Sequence, residues 1–300
     1  MKLEGKVAIV TGGAQGIGQG IVRCLAEEGA NIVIADIDMD NANKTAREVK
    51  AMGRKALVVE ADVTRPEKVA QVVKKALDTF GKIDILVNNV GGQPEIAPEG
   101  AGAATPMAPM TMPDLPDELW DGVYSLNFKS QVLMCKAVVP LMKAQKSGKI
   151  INIASIAGKS LNAGALAGGG GTGSSLMPYG SQKAAVIAFT RQLAREVGPD
   201  NINVNSICPG FLYTPAWKRG TERMWEMISA APPELLDATP GLKDIKGPKD
   251  IFLNMVNRLT PLGREQTPED IGRLAVFLVS EDARNITGQS INVDGGVIMD

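Results

Sequence analysis

Within the first 88 residues, four short β-branched runs alternate with stretches of helical periodicity, and this alternation constrains the fold more than any other feature of the chain. Val7-Ala8-Ile9-Val10 is the first run. Residues 31–35, 56–60 and 83–87 repeat it. Continuous apolar runs of this length are what strands show when both of their faces are covered. Helical periodicity fills the gaps, over residues 16–28, 40–52 and 64–80. Gly29 closes the first of these, and Thr64-Arg65-Pro66-Glu67 has capping-box spacing at the start of the third. Short connections between strand, helix and strand predict an α/β fold, a doubly wound parallel sheet with helices on both faces.

The rhythm then loosens. Residues 93–116 are rich in Pro, Ala, Gly and Met, and are too long for an ordinary connection. A long helix is expected over 120–145, a strand over 149–153 and a glycine-rich stretch over 158–177, with Gly168 to Gly171 in a row. A helix over 179–197 and a strand over 202–207 follow, then an irregular region over 211–264. Thr267-Pro268-Glu269-Asp270 opens a last helix, with Thr as N-cap and Pro at the first helical position, and residues 290–293 complete a sheet of about seven strands. Glycine is 33 of 300 residues, and the excess lies in the turn after the first strand and the loops after the fourth and fifth. In an open parallel sheet those carboxyl-end loops form the ligand crevice.

Composition narrows the chemistry. Histidine is absent, which excludes a His-ligated zinc, a Ser-His-Asp triad and a Cys-His dyad within one chain; no metal site is expected. The 32 basic and 33 acidic residues form no cationic cluster, so no nucleic-acid partner is expected. No apolar run is long enough to span a membrane, and the N-terminus carries no signal or transit pattern. Cys24, Cys135 and Cys208 are odd in number and far apart, which points to buried thiols in a reducing cytoplasm.

Thr11-Gly12-Gly13-Ala14-Gln15-Gly16-Ile17-Gly18 joins the first strand to the first helix. Glycines there let the backbone approach a pyrophosphate at a helix N-terminus. Asp36 ends the second strand, 18 residues after Gly18. A carboxylate in that place accepts hydrogen bonds from ribose hydroxyls and repels a 2′-phosphate, and Ile37 follows where an NADP enzyme could place Arg. The pair predicts NAD. Tyr179 and Lys183, four residues apart, share a helix face. A phenol is a poor base at neutral pH, and a nearby ammonium lowers its pKa, so Tyr179 could take an alcohol proton as hydride leaves the carbon. Ser155 closes the fifth strand, where its hydroxyl can meet the substrate oxygen. Asn127 sits in the long helix, where a buried amide can kink the helix and hold a water.

Together these residues resemble the short-chain dehydrogenase/reductase family, over about residues 6–296. Thr11 to Gly18 match its cofactor turn, Asp62-Val63 its adenine-side motif, and Asn88-Asn89-Val90-Gly91 its N-N-A-G motif with Val for Ala. Asn127, Ser155, Tyr179 and Lys183 match its catalytic tetrad, Pro209-Gly210 with Leu212 and Thr214 its nicotinamide-side segment, and residues 288–296 its last strand. The resemblance implies a single Rossmann-type domain over residues 1–300. It makes Tyr179 the acid/base, Lys183 the group that lowers its pKa and binds the nicotinamide ribose, Ser155 the orienter of the substrate oxygen and Asn127 the holder of a relay water. Gly12, Gln15, Gly16, Ile17, Gly18, Asp36, Ile37, Asp62, Val63, Asn89, Gly91, Pro209, Gly210, Leu212 and Thr214, with Tyr179 and Lys183, are its cofactor residues. It also implies a homo-oligomer, a tetramer more often than a dimer.

The activity expected is NAD-dependent exchange between a secondary alcohol and a ketone. A cyclic or polycyclic alcohol, a polyol and a hydroxyacyl thioester all stay open as substrates. A ketoacyl reductase and a catalytically silent NAD-binding regulator are the alternatives. The chain departs from the family in the spacing of 24 from Ser155 to Tyr179, in the insertion over 93–116 and in the long lid over 211–264. These are expected to cap a sizeable substrate, with Trp217, Met224, Trp225 and Met227 as apolar contacts; the plainer alternatives are that the lid aromatics pack the lid to the body, or that the insertions meet another subunit. Arg219, Arg223, Lys243, Lys246 and Lys249 could meet an anionic substrate or simply be solvated.

Overall fold

The computed structural model describes residues 1–92, 112–160, 176–231 and 245–299. Its frame is one seven-stranded sheet in the order β3-β2-β1-β4-β5-β6-β7, every pairing parallel. The strands are β1 (Val7–Thr11), β2 (Asn31–Asp36), β3 (Ala56–Glu60), β4 (Ile85–Asn88), β5 (Gly148–Ile153), β6 (Ile202–Pro209) and β7 (Ser290–Val293). The order reverses between β1 and β4, which opens a crevice at their carboxyl ends.

Alternation along the strands builds two cores. Ala8, Val10, Ile32, Ile34 and Val87 face α1 (Gly16–Glu27), α2 (Met39–Ala51) and α9 (Pro268–Val279). Val7, Ile9, Val33, Leu86 and Val204 face α3 (Pro66–Phe80), α5 (Ser130–Gln145) and α6 (Met177–Val197). Both faces are thus covered, as the unbroken apolar runs require.

The expected long helix is α4 (Asp117–Tyr124) running through a π segment (Ser125–Lys129) into α5. The π segment is where the sequence expected Asn127 to kink the helix. Thr267 caps α9 in a full capping box with Asp270. At α3, by contrast, Thr64 does not cap: its hydroxyl donates to Asp62 at 2.7 Å, and Arg65 stands at the N-cap without a side-chain capping bond, its guanidinium donating to Glu67 at 2.8 Å. Asp62 outcompetes the helix end because it lies two residues away and carries a full charge.

The described residues of the region expected to be irregular over 211–264 include two helices, α7 (Pro215–Ser229) and α8 (Pro248–Leu259). Trp217 meets Phe211 and Phe252 edge-on, with ring centroids 6.0 and 5.4 Å apart, so this aromatic ties α7 to α8 within the lid. Met224 and Met227 are exposed, at 40% and 66%. Most of the two expected insertions, and residues 232–244 of the lid with Lys243, lie outside the described residues. No helix among the described residues is long and apolar enough to cross a membrane.

Candidate active site

The glycine turn is built by close packing. A Cβ on Gly18 would overlap the Gly12 carbonyl and come within 2.6 Å of Asn89 Nδ2, so the helix start meets the turn backbone directly. Gly12 and Gly16 hold φ of +65° and +58°, which a side chain would strain, and nothing lies within 4 Å of a Cβ position on Gly16. Asn89 Nδ2 donates to the carbonyls of Thr11 and Gly12, both at 3.0 Å. The Thr11 hydroxyl accepts the amides of Asn89 and Val90 at 3.0 and 3.2 Å. The end of β4 and the turn after β1 are therefore one stitched unit across the switch point.

Asp36 stands beside this turn. Its carboxylate accepts the Ala14 amide at 2.9 Å and the Asp38 amide at 3.0 Å, and it remains half-buried with acceptor capacity to spare. Thr45, fully buried on α2, donates to the Ala14 carbonyl at 3.1 Å and so fixes the next peptide of the same residue. Ile37 is 73% exposed beside Asp36. Asp62 is exposed, Val63 is a core side chain, Gln15 is exposed and Ile17 packs on the core beneath the turn.

On the other side of the switch point, Ser155 lies two residues beyond β5 and hydrogen-bonds the Tyr179 hydroxyl. Lys183 is buried, its Nζ 5.5 Å from the Tyr179 ring centre and 2.9 Å from the Ile153 carbonyl, to which it donates. Burial lowers the Lys183 pKa to about 8. Burial also pushes the Tyr179 phenol above its ordinary value, against the Ser155 bond that pulls it down. The sequence expected an ammonium-lowered phenol. In the chain by itself desolvation raises the phenol, and the Lys183 ammonium donates to the Ile153 carbonyl.

Asn127 is fully buried. Its Oδ1 accepts the Gly92 amide at 2.9 Å, and its Nδ2 donates to the carbonyls of Gly92 and Val123 at 2.7 and 3.0 Å. A Cβ on Gly91 would lie 2.8 Å from Asn127 Oδ1 and 2.9 Å from Lys183 Nζ, so Asn127, Gly91 and Lys183 meet at one point. Pro209 ends β6; Gly210 donates to Gln266 Oε1 at 3.0 Å, and Leu212 bridges Gln266 through the backbone. Leu212 and Thr214 share a cavity of about 320 Å³ with Gly16, Tyr213, Lys249 and Gln266. The nicotinamide-side segment and the glycine turn thus border the same space. Among the described residues no group of His, Cys, Asp and Glu could hold a metal ion.

The tetrad and the glycine turn were legible as motifs, whereas Thr45, Gln131 and Gln266 were missed. Gln131 is a polar residue inside the buried stripe of α5, and that mismatch was its signal.

This geometry meets a matching relationship in sequence. The family model for short chain dehydrogenase covers residues 6–225 of the chain. The chain belongs to the short-chain dehydrogenase family. This short-chain dehydrogenase is therefore an oxidoreductase, and a second model, for enoyl-(acyl carrier protein) reductase, covers residues 233–298. It is 37% identical over 298 residues to galactitol 2-dehydrogenase of Agrobacterium fabrum, covering 99% of this chain and 98% of that protein. The L-sorbose reductase of Gluconobacter frateurii, solved with NADPH and L-sorbose, superposes with a TM-score of 0.78 at 30% identity over the whole of both chains. A 7α-hydroxysteroid dehydrogenase solved with NADH and 7-oxo glycochenodeoxycholic acid gives 0.75 at 29% identity, over 100% of this chain and 96% of that one.

Proposed function

We propose that this short-chain dehydrogenase interconverts a secondary alcohol and a ketone with NAD. The observation that carries the proposal is the Ser155–Tyr179 hydrogen bond with the buried Lys183 beside it, facing a glycine turn across the switch point. The turn fits a dinucleotide: Gly12 and Gly18 let the turn close on itself, Gly16 leaves open space beside the backbone, and Gly16 heads a helix whose N-terminus favours a pyrophosphate. Gln15, Asn89, Gly91, Pro209, Gly210, Leu212 and Thr214 would line its path, with Asp62 and Val63 at the adenine end. Asp36 with an exposed Ile37 supports NAD over NADP, because a carboxylate welcomes ribose hydroxyls and repels a phosphate.

When bound, the oxidised nicotinamide supplies the hydride acceptor and a positive charge near the phenol. The residues do the rest. Tyr179 takes the alcohol proton on its hydroxyl oxygen, and in the reverse direction gives it back. Ser155 orients the substrate oxygen by hydrogen bonding. Lys183 lends positive charge to the phenolate and binds the nicotinamide ribose, and Asn127 closes the proton path behind it. Since burial holds the phenol up, Tyr179 rests as a neutral acid until positive charge gathers around it. We extend the proposal to a single domain, to a homo-oligomer built on α5 and α6, a tetramer rather than a dimer, and to a cytoplasmic enzyme.

The test is NADH formation across polyols, cyclic alcohols, sterols and hydroxyacyl thioesters. Tyr179→Phe should bind NADH as before and lose turnover by about 10²- to 10⁴-fold. Turnover indifferent to that change would refute the assignment.

A further inference from the structure

Gln131 is 1% exposed and lies one turn beyond Asn127, where the π segment sets the phase that turns both side chains inward. Its Nε2 donates to the Ile153 carbonyl at 3.2 Å, the same oxygen that accepts Lys183 Nζ at 2.9 Å. Two buried side chains therefore share one acceptor. That acceptor has lost its neighbour on the β4 side: the β4–β5 register ends at Asn88 opposite Asn152, and the next amides, of Asn89 and Val90, go to the Thr11 hydroxyl. The other end of the Gln131 amide, Oε1, is buried without a partner. A buried orphan is costly, and an apolar residue would avoid it, so the amide is held in place at the expense of stability.

A carbonyl served only by Lys183 would hold the ammonium, because withdrawing the ammonium would strand a buried acceptor. With Gln131 present, it stays satisfied whichever way Lys183 turns. We propose that Gln131 is a positioning residue that frees Lys183 to leave Ile153 and engage the cofactor's ribose hydroxyls, a proposal that rests on the cofactor-binding role given to Lys183. Gln131 itself touches neither substrate nor cofactor.

The test replaces Gln131 with Met, which keeps the length and removes both polar atoms; Gln131→Leu guards against a packing fault of one side chain. Affinity is read by fluorescence titration with NADH and NADPH, taking whichever the unaltered enzyme binds more tightly. The expected result is a roughly 5- to 100-fold weaker affinity, about 1–3 kcal/mol at 1.4 kcal/mol per decade. The melting temperature of the unliganded protein should stay or rise, because the orphaned oxygen is gone. In a Lys183→Met background the same substitution should change affinity no further. Unchanged affinity in both Gln131 variants, or an equal loss with and without Lys183, overturns the proposal. If Lys183→Met alone leaves affinity intact, the cofactor role of Lys183 fails, and the Gln131 proposal with it. If Lys183→Met weakens binding and Gln131→Met does not, only the Gln131 proposal fails.

Discussion

Replacing Lys183 by Met should stabilise the unliganded enzyme. Lys183 is 2% exposed, and burial brings its pKa from the ordinary 10.5 to about 8. The difference is close to 2.5 units, and at 1.36 kcal/mol per unit the charged side chain costs the folded state about 3 kcal/mol. The sign follows from proton counts: between pH 8 and 10.5 the unfolded lysine holds its proton and the folded one has released it, so stability rises with pH through that window. Below pH 8 the full cost is present. Methionine keeps the length and the packing and removes the charge, while Gln131 still serves the Ile153 carbonyl. The advantage of Lys183→Met should therefore be about 3 kcal/mol at pH 7 and about 1 kcal/mol at pH 9.5. For a chain of this size 3 kcal/mol is about 5 °C in melting temperature. The assay is calorimetry of both proteins, free of nucleotide, at the two pH values; groups that titrate alike in both cancel. A variant less stable than the parent at pH 7, or an advantage that does not shrink with pH, would refute the reasoning that burial of the charge dominates at this site.

Gly18→Ala should weaken NADH binding at least tenfold and cost about 1–3 kcal/mol, because its Cβ would overlap the Gly12 carbonyl; fluorescence titration and melting report the two effects. Asp36→Ala combined with Ile37→Arg should weaken NADH binding about 10- to 100-fold, through lost hydrogen bonds to a charged acceptor, while NADPH binding improves. A parent enzyme that already prefers NADPH would contradict this. All three cysteines are buried and none is in a disulfide, with the thiol pKa raised by burial to about 11 at Cys24 and about 12 at Cys135. A thiol reagent should therefore count none of them at pH 8 in the native enzyme and all of them in urea.

The sheet was legible because every strand is covered on both faces, so an apolar run such as Val7-Ala8-Ile9-Val10 has one reading once turns bracket it. The Tyr179–Lys183 pair and the glycine turn were legible because their spacing is local, and Asn127 and Ser155 because each closes or interrupts an element. What escaped the sequence depends on contacts between distant segments. Helix α7 hides a half-buried stripe of Trp217, Thr221, Trp225 and Ile228 under charges and Gly220, and only the aromatic seat on Phe211 and Phe252 gives it a face. Thr64 has an N-cap spacing, but Asp62 is nearer. The direction of the Tyr179 pKa was misjudged because adjacency on a helix says nothing of desolvation. The pairing of Gln131 with Lys183 needs α5, β5 and α6 brought together.

The stitching of Asn89 and Thr11 across the switch point divides the molecule's freedom to vary. On the β3-β2-β1 side, the glycine turn, Asp36 and Thr45 lock one another through backbone atoms, and a change in any one disturbs the rest. The stretches that exceed ordinary connection lengths follow β4, β5 and β6 in chain order, and those strands lie on the other side of the switch point. A lineage built on such a frame can trade one clientele for another by rewriting those stretches, and its currency of electrons stays the same.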